Sequence, residues 1–266
     1  MAINIVVLAK QVIDPEMPMS AFSVDREAGR VVAPTNIPPV VNGFDENAVE
    51  AALRIKDSQD ATITVVSMGT SFALDVMKKP LSMGADNLIL LQDEAFENTV
   101  DSLAIARVLA EAIKKSGDFD LIICGRQASD WDNGQVPLAV AELLDLPCVT
   151  IGKKVEVGDG KITVERQVTD GTEIVETSTP AVVTVSNELG QPRYPTLRGI
   201  MAATRKQPII WDAQELGIDT GASSSNLELL DLYIPTSDVE CEIIRGEDDE
   251  ESGRLLALKL REDKLI

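Results

Sequence analysis

Gln127, Ser129, Asp130, Asp132, Asn133 and Gln135 crowd into one stretch, Asp118 to Pro137, that reads DFDLIICGRQASDWDNGQVP. Each can donate or accept hydrogen bonds, and together they exceed the one or two such residues that a turn needs. They follow an apolar run, Leu121 to Cys124, which has the length and composition of a buried strand and ends at Gly125. A helix is expected to begin near Asn133, capped by Asp132 or Asn133, with Val136, Ala139, Val140, Leu143 and Leu144 on one face. A strand that breaks at a glycine and feeds a helix start aims unpaired N–H groups and the positive end of the helix dipole the same way. The chemistry this predicts is recognition of a phosphate-bearing ligand. An ordinary strand-to-helix turn is the competing reading. Neither a Walker pattern nor GxGxxG occurs, so the loop is not a P-loop or a standard dinucleotide fingerprint.

Histidine is absent from the 266 residues. That removes Ser-His-Asp and Cys-His catalysis and most zinc sites, and no metal site is expected. A chain without histidine but with a nucleotide-reading loop fits a cofactor carrier better than an acid-base enzyme. The formal charge is −20, from 24 basic and 44 acidic residues, which argues against nucleic acid and anionic membrane as partners. Aromatics are only 3% of a chain that is 44% hydrophobic, so the core must be mainly aliphatic. Ile3 to Ala9 is too short an apolar run for a signal peptide, and no window reaches transmembrane length, so membrane insertion is not expected. Cys124, Cys148 and Cys241 form no CxxC pair and are expected to be reduced residues of a cytoplasmic protein.

The elements that position the loop follow from periodicity. Ile3 to Ala9 reads as a strand covered on both faces, and Phe22 to Val32 as a hairpin at the sheet edge turning at Asp25 to Gly29. NGFDENAVEAALRIKD, from Asn42, carries Ala48, Val49, Ala52, Leu53 and Ile55 inward on a helix capped by Asn42 or Asp45. Ala61 to Met68 is a strand, Ser71 to Met83 a helix, Asn87 to Leu91 a strand and Thr99 to Lys115 a helix. This alternation predicts an α/β fold with a mostly parallel, doubly wound sheet of nucleotide-binding type. Ligands in such sheets sit at the carboxyl ends of the strands. There, Leu8, Ala9 and Lys10 converge with Met68-Gly69 and with Gly125 onward, and the loop Asn42 to Asp45, which includes Phe44, can join them.

From Thr150 the pattern turns antiparallel. Strands Lys153 to Val157, Ile162 to Val168, Glu173 to Thr177 and Ala181 to Ser186 are separated by turn signals and fit a meander. The stretch 187–205 follows, with Tyr194, Leu197, Ile200 and Met201 as apolar residues on a polar loop, a contact signal set against the alternative of a short helix folded on the body. Gly217 to Asn226 has linker composition. Leu227 to Ile234 and Val239 to Ile244 look strand-like, and Gly253 to Arg261 reads as an amphipathic helix. The expected division is a nucleotide-binding domain, 1–215, and an extended C-terminal arm, 216–266, that must lie on a partner.

Several ordered segments resemble one family. Lys10-Gln11-Val12, the helix NGFDENAVEAALRIKD, MGAD at Met83 to Asp86, GRQASDWDNGQ, VERQVTDGTEIVETSTPAVVT and QPRYPTLRGIM together resemble the beta subunit of electron-transfer flavoproteins over essentially the whole chain. The resemblance implies an adenine nucleotide held by Leu8 and Ala9, by the loop Asn42 to Asp45, by Met68, and by Gly125 to Val136. The last segment comprises Gly125, Arg126, Gln127, Ala128, Ser129, Asp130, Trp131, Asp132, Asn133, Gly134, Gln135 and Val136. It also implies an obligate alpha subunit that carries most of a second FAD site, and docking to a dehydrogenase through Leu197. In the ordinary branch of the family the beta site holds AMP. In the electron-bifurcating branch it holds FAD that takes a hydride from NADH, and Lys10-Gln11-Val12, Gly125-Arg126-Gln127, Gln135-Val136 and Leu197-Arg198-Gly199 resemble that branch. Pro15 and Pro137 depart from both patterns, and Trp131 is a bulky insertion that either stacks on a ligand or shields it.

Overall fold

The structure is a computed structural model that describes residues 2–96, 100–218, 225–236 and 241–266. Its first strand, β1 (Ile3–Leu8), is buried from Ile5 to Leu8, as continuous apolar character demands. Next come β2 (Gln11–Val12), β3 (Ser23–Asp25), β4 (Arg30–Val32) and β5 (Val40–Val41). The expected hairpin is β3–β4, with Asp25 opposite Arg30, but it stands as a ribbon of its own and does not extend the main sheet. β2 and β5 form another two-stranded antiparallel pair.

The α/β alternation follows as α1 (Gly43–Ser58), β6 (Ala61–Gly69), α2 (Leu74–Met77), α3 (Lys79–Met83), β7 (Asn87–Gln92), α4 (Ser102–Ser116), β8 (Leu121–Gly125) and α5 (Val136–Leu143). The single helix expected over 71–83 is divided at Lys78, and Pro80 lies in the first turn of its second part. Proline has no N–H to continue a helix and its ring crowds the preceding turn, which accounts for the break. α4 is capped by Asp101, whose carboxylate accepts the N–H groups of Leu103 and Ala104. Thr99, the expected start of that helix, lies outside the described residues.

The remaining elements of the first compact unit are β9 (Cys148–Gly158), β10 (Lys161–Val168), β11 (Gly171–Ser178), β12 (Ala181–Val185), α6 (Leu197–Arg205) and β13 (Ile209–Trp211). The nine-stranded sheet runs β11-β10-β9-β12-β8-β1-β6-β7-β13. β9, β10 and β11 form an antiparallel meander. β12 does not continue it, because it inserts between β8 and β9 and is parallel to both. All five of its residues are buried, so an interior position shields it on both faces. β13 adds a parallel edge strand beside β7.

Two aliphatic cores cover the sheet. One packs α1, α3 and Ala203 of α6 against one face, and the other packs α4 and α5 against the opposite face. From β1 the chain winds outward through β6 and β7, then returns to place β8 on the other side of β1. The sheet order therefore reverses between β1 and β8, which is where open α/β sheets form a ligand crevice.

The chain divides into compact units 1–232 and 233–266. The second holds α7 (Asp249–Glu262), whose first turn is capped by Asp248 and which buries no residue. The expected strands 227–234 and 239–244 are not formed in the described residues, and Val239 and Glu240 fall outside them, as do 219–224 of the expected linker. Neither segment pairs with a strand among the described residues, so local apolar character alone does not make them strands. Among the described residues, no helix is long and apolar enough to cross a membrane.

Candidate nucleotide site

The crevice is built around the start of α1. Asn42 occupies the N-cap position, but its side chain does not cap the helix. It is fully buried and reaches across instead, donating from Nδ2 to the Gln127 carbonyl at 2.8 Å and accepting the Ser129 N–H on Oδ1 at 3.2 Å. Asp45, one turn on, accepts the Lys10 N–H on Oδ2 at 2.8 Å and the Gly125 N–H on Oδ1 at 3.2 Å. Asn42, just before α1, and Asp45, in its first turn, thus join the ends of β1 and β8 and the loop that follows. Burial raises the Asp45 carboxyl to about 7, against the lowering effect of the Lys10, Asn42 and Gly125 hydrogen bonds and the Lys10 charge.

Gly125 is required by this closeness. A Cβ there would collide with Asp45 Oδ1 and lie 2.7 Å from the Phe44 carbonyl carbon. Arg126 donates its N–H to the Val185 carbonyl at 2.8 Å, and its guanidinium stands 5.0 Å from the Phe44 ring centroid. Lys10 Nζ pairs with Asp130 at 2.7 Å. Gln127 Nε2 donates to Asp132 Oδ1 at 2.7 Å, and the Asp132 N–H returns to the Ala128 carbonyl at 2.8 Å. The loop curls through the left-handed region at Asp132 (φ 52) and Gly134 (φ 62).

The helix begins at Val136, later than expected. Gln135 is its N-cap, and Pro137, whose fixed φ suits the first turn, lacks an N–H to offer an anion. Neither Asp132 nor Asn133 caps it. The Asn133 amide instead lies 3.5 Å from the Ser102 hydroxyl at the start of α4. Trp131, Asp132, Asn133 and Gln135 are exposed, and Trp131 is 43% accessible.

Leu8 lies between Val66 and Cys124 in register, and the Ala9 N–H extends the ladder to the Val66 carbonyl at 2.9 Å. Met68 is opposite Leu91 near the end of β6 and packs against the core on the α4 side. Ser67, its neighbour in β6, adds an observation that its sequence context does not signal. Its buried hydroxyl has no hydrogen-bond partner among the described residues, a polar group of the kind that a bound molecule satisfies. Lys10 and Arg126 supply positive charge, and the loop supplies amide and N–H donors. This donor set fits an anionic ligand such as a nucleotide phosphate.

The second expected contact region is on α6. Thr196 caps it through the Gly199 N–H at 3.0 Å, and the helix packs on α3 through Gly199, where a Cβ would collide with the Ser82 carbonyl. The short helix is present and packs on the body, yet apolar residues stay outward: Leu197 is 82% and Tyr194 92% exposed, and Ile200 and Met201 are exposed as well. Sequence reasoning missed the residues that hold the approach to this helix, Asn47, Glu50, Arg54 and Arg193.

A family model described as electron transfer flavoprotein domain matches residues 30–216. The chain is 38% identical to the electron transfer flavoprotein subunit beta of Thermoanaerobacterium thermosaccharolyticum over 247 residues, 91% of this chain and 92% of that one. It is 35% identical to subunit CarD of the caffeyl-CoA reductase-Etf complex of Acetobacterium woodii over 267 residues, 99% and 100% of the two chains. It is 33% identical to the corresponding beta subunit of Bacillus subtilis over 227 residues, 85% and 88% of the two. With a topology that brings β1, β8 and the Gly125 loop together under α1, the chain belongs to the electron transfer flavoprotein family, on its beta-subunit side.

Proposed function

We propose that the chain is the beta subunit of a heterodimeric electron transfer flavoprotein and binds an adenine nucleotide, FAD in preference to AMP, in the crevice between β1 and β8. The observation that carries this reading is the pair of bridges from Asn42 and Asp45, which hold the Gln127–Ser129 backbone and the ends of both strands in one fixed cradle. Such a cradle binds and orients a ligand without supplying acid-base chemistry. Bound FAD supplies hydride and electron transfer. The protein's own part is to neutralise phosphate charge with Lys10 and Arg126, to read the ligand with the loop amides, and to keep it beside the alpha subunit.

The branch assignment rests on Lys10-Gln11-Val12 and Leu197-Arg198-Gly199, which lie far apart in the chain and agree. In that assignment the complex takes electrons from NADH and divides them by flavin-based electron bifurcation, passing them to a dehydrogenase and a further acceptor. The name of the Acetobacterium relative places that protein in a complex with a CoA-ester reductase, which supports a dehydrogenase of this class as partner. Residues 216–266 are the arm that lies on the alpha subunit, and the complex works in the cytoplasm. Purifying the co-expressed heterodimer and assaying NADH oxidation tests the proposal. NADH-dependent bleaching of bound flavin is expected, whereas reduction only by a CoA-ester dehydrogenase would place the chain in the ordinary branch with AMP.

A further inference from the structure

α1 does more than hold the nucleotide loop. Beyond Asp45, a face of the same helix presents Asn47, Glu50, Arg54 and Asp57, and each contacts the segment that leads to α6. Asn47 Nδ2 donates to the Gly190 carbonyl at 2.8 Å, and Arg54 Nη1 to the Leu189 carbonyl at 2.9 Å. Arg193 closes the clasp. Its guanidinium donates to Glu50 Oε2 at 2.8 Å and to Asp57 Oδ2 at 2.7 Å, and its backbone N–H donates to Glu50 Oε2 at 3.1 Å.

The Asp57 side of the clasp lies at the surface, with that side chain 61% exposed, but the Glu50 side does not. The Glu50 side chain is only 6% exposed. Burial acts to raise its carboxyl, and the bonds from Arg193 and Arg54 outweigh that and hold it below its ordinary value. The planar guanidinium can meet two carboxylates at once, which a lysine ammonium cannot do in the same geometry. Tyr194, the residue after Arg193, is 92% exposed, and Leu197 begins α6. The clasp therefore ends where the exposed apolar surface begins.

We infer that Arg193 is a positioning residue for partner docking, and that α1, through Glu50, fixes the docking helix to the same rigid element that holds the nucleotide cradle. This rests on the reading of Leu197 as a docking anchor. A free strap would still expose Leu197, but the partner would have to order it on binding, and that cost appears in affinity. No change in the chemistry at the nucleotide is expected.

The test uses the co-expressed heterodimer with a CoA-ester dehydrogenase, the class proposed above, as electron partner, comparing wild type, Arg193→Gln, Arg193→Lys, Leu197→Ala and the double variant Arg193→Gln/Leu197→Ala. Hydrogen exchange of 189–205 should speed up in both Arg193 variants, with 125–136 and flavin content unchanged. KM for the heterodimer should rise about tenfold in Arg193→Gln with kcat retained, and less in Arg193→Lys. Because Arg193 acts through the anchor, the double variant should be little worse than Leu197→Ala. If Leu197→Ala raises KM but Arg193→Gln changes neither KM nor exchange, the clasp inference is overturned and the docking reading stands. If Leu197→Ala leaves KM unchanged, the docking reading itself fails. Flavin loss in Arg193→Gln would make Arg193 a residue of the fold and also overturn the inference.

Discussion

Asp45 Oδ1 accepts the N–H of Gly125 at 3.2 Å across 80 positions of sequence, and its other oxygen accepts the Lys10 N–H at 2.8 Å. Both contacts need an acceptor, and an amide offers only one oxygen. Asp45→Asn should therefore turn an NH2 group toward one backbone N–H and cost about 1–3 kcal/mol. Urea unfolding of the heterodimer checks this, and the bound nucleotide should be lost in parallel.

The same carboxyl makes stability depend on pH. Its ordinary value is 3.8 and burial raises it to about 7 in the fold. Between those values the folded chain holds a proton that the unfolded chain has released. The contribution of Asp45 therefore falls as pH rises from about 4 to about 7 and is level above that, by at most about 4 kcal/mol. Thermal melts across this range should show a downward component that Asp45→Asn abolishes.

At Gly134, φ is 62 and a Cβ would sit 3.4 Å from the Arg126 carbonyl. A β-branched side chain is strained in that conformation and crowds the loop, so Gly134→Val should cost about 1–2 kcal/mol locally and remove the nucleotide. In the proposed two-flavin complex, one flavin of two should be lost together with NADH oxidation while the alpha-site FAD remains; in an ordinary complex AMP and stability would be lost with flavin content unchanged. Asp132→Asn should be milder. Flavin content and NADH oxidation of the two variants compare them directly.

Leu197 is 82% exposed at the start of α6. As an apolar anchor it should contribute about 2 kcal/mol or more to partner affinity. Leu197→Ala should weaken dehydrogenase binding, measured by titration, and leave the melting temperature and nucleotide content unchanged.

The arm supplies a further expectation. Leu227 and Leu230 are exposed in the first unit, and α7 in the second buries no residue. Covering such surfaces calls for an interface of obligate size, about 2,000 Å² or more. The chain expressed alone should melt below the heterodimer and associate on its own. Sedimentation and melting of both preparations check this, and a monomer that melts no lower than the complex would contradict it.

Much of this arrangement is legible in residue periodicity. Ile5 to Leu8 and Leu121 to Cys124 are continuous apolar runs and become adjacent interior strands. The alternation that places them also locates the crevice. β12 was harder, because turn signals on either side of it resemble those of a meander. Its uninterrupted AVVTV was nonetheless the signature of a strand covered on both faces. α5 starts later than the sequence suggests because Asp132 and Asn133 carry a strong general capping signal, whereas Pro137 marks the first turn more directly. Glu50 and Arg193 could not be paired from sequence, since a charged residue on a helix usually faces solvent and 143 positions separate the two. Asn42 looked like a cap for the same local reason, and only the fold shows that its amide serves a loop far along the chain.

The most direct test of the central claim is the nucleotide released by acid from the purified wild-type heterodimer, counted per complex. Two FAD per heterodimer, falling to one in Gly134→Val, is the predicted result. One FAD with one AMP would contradict the flavin assignment, and one FAD with no second nucleotide would contradict the site in this chain altogether.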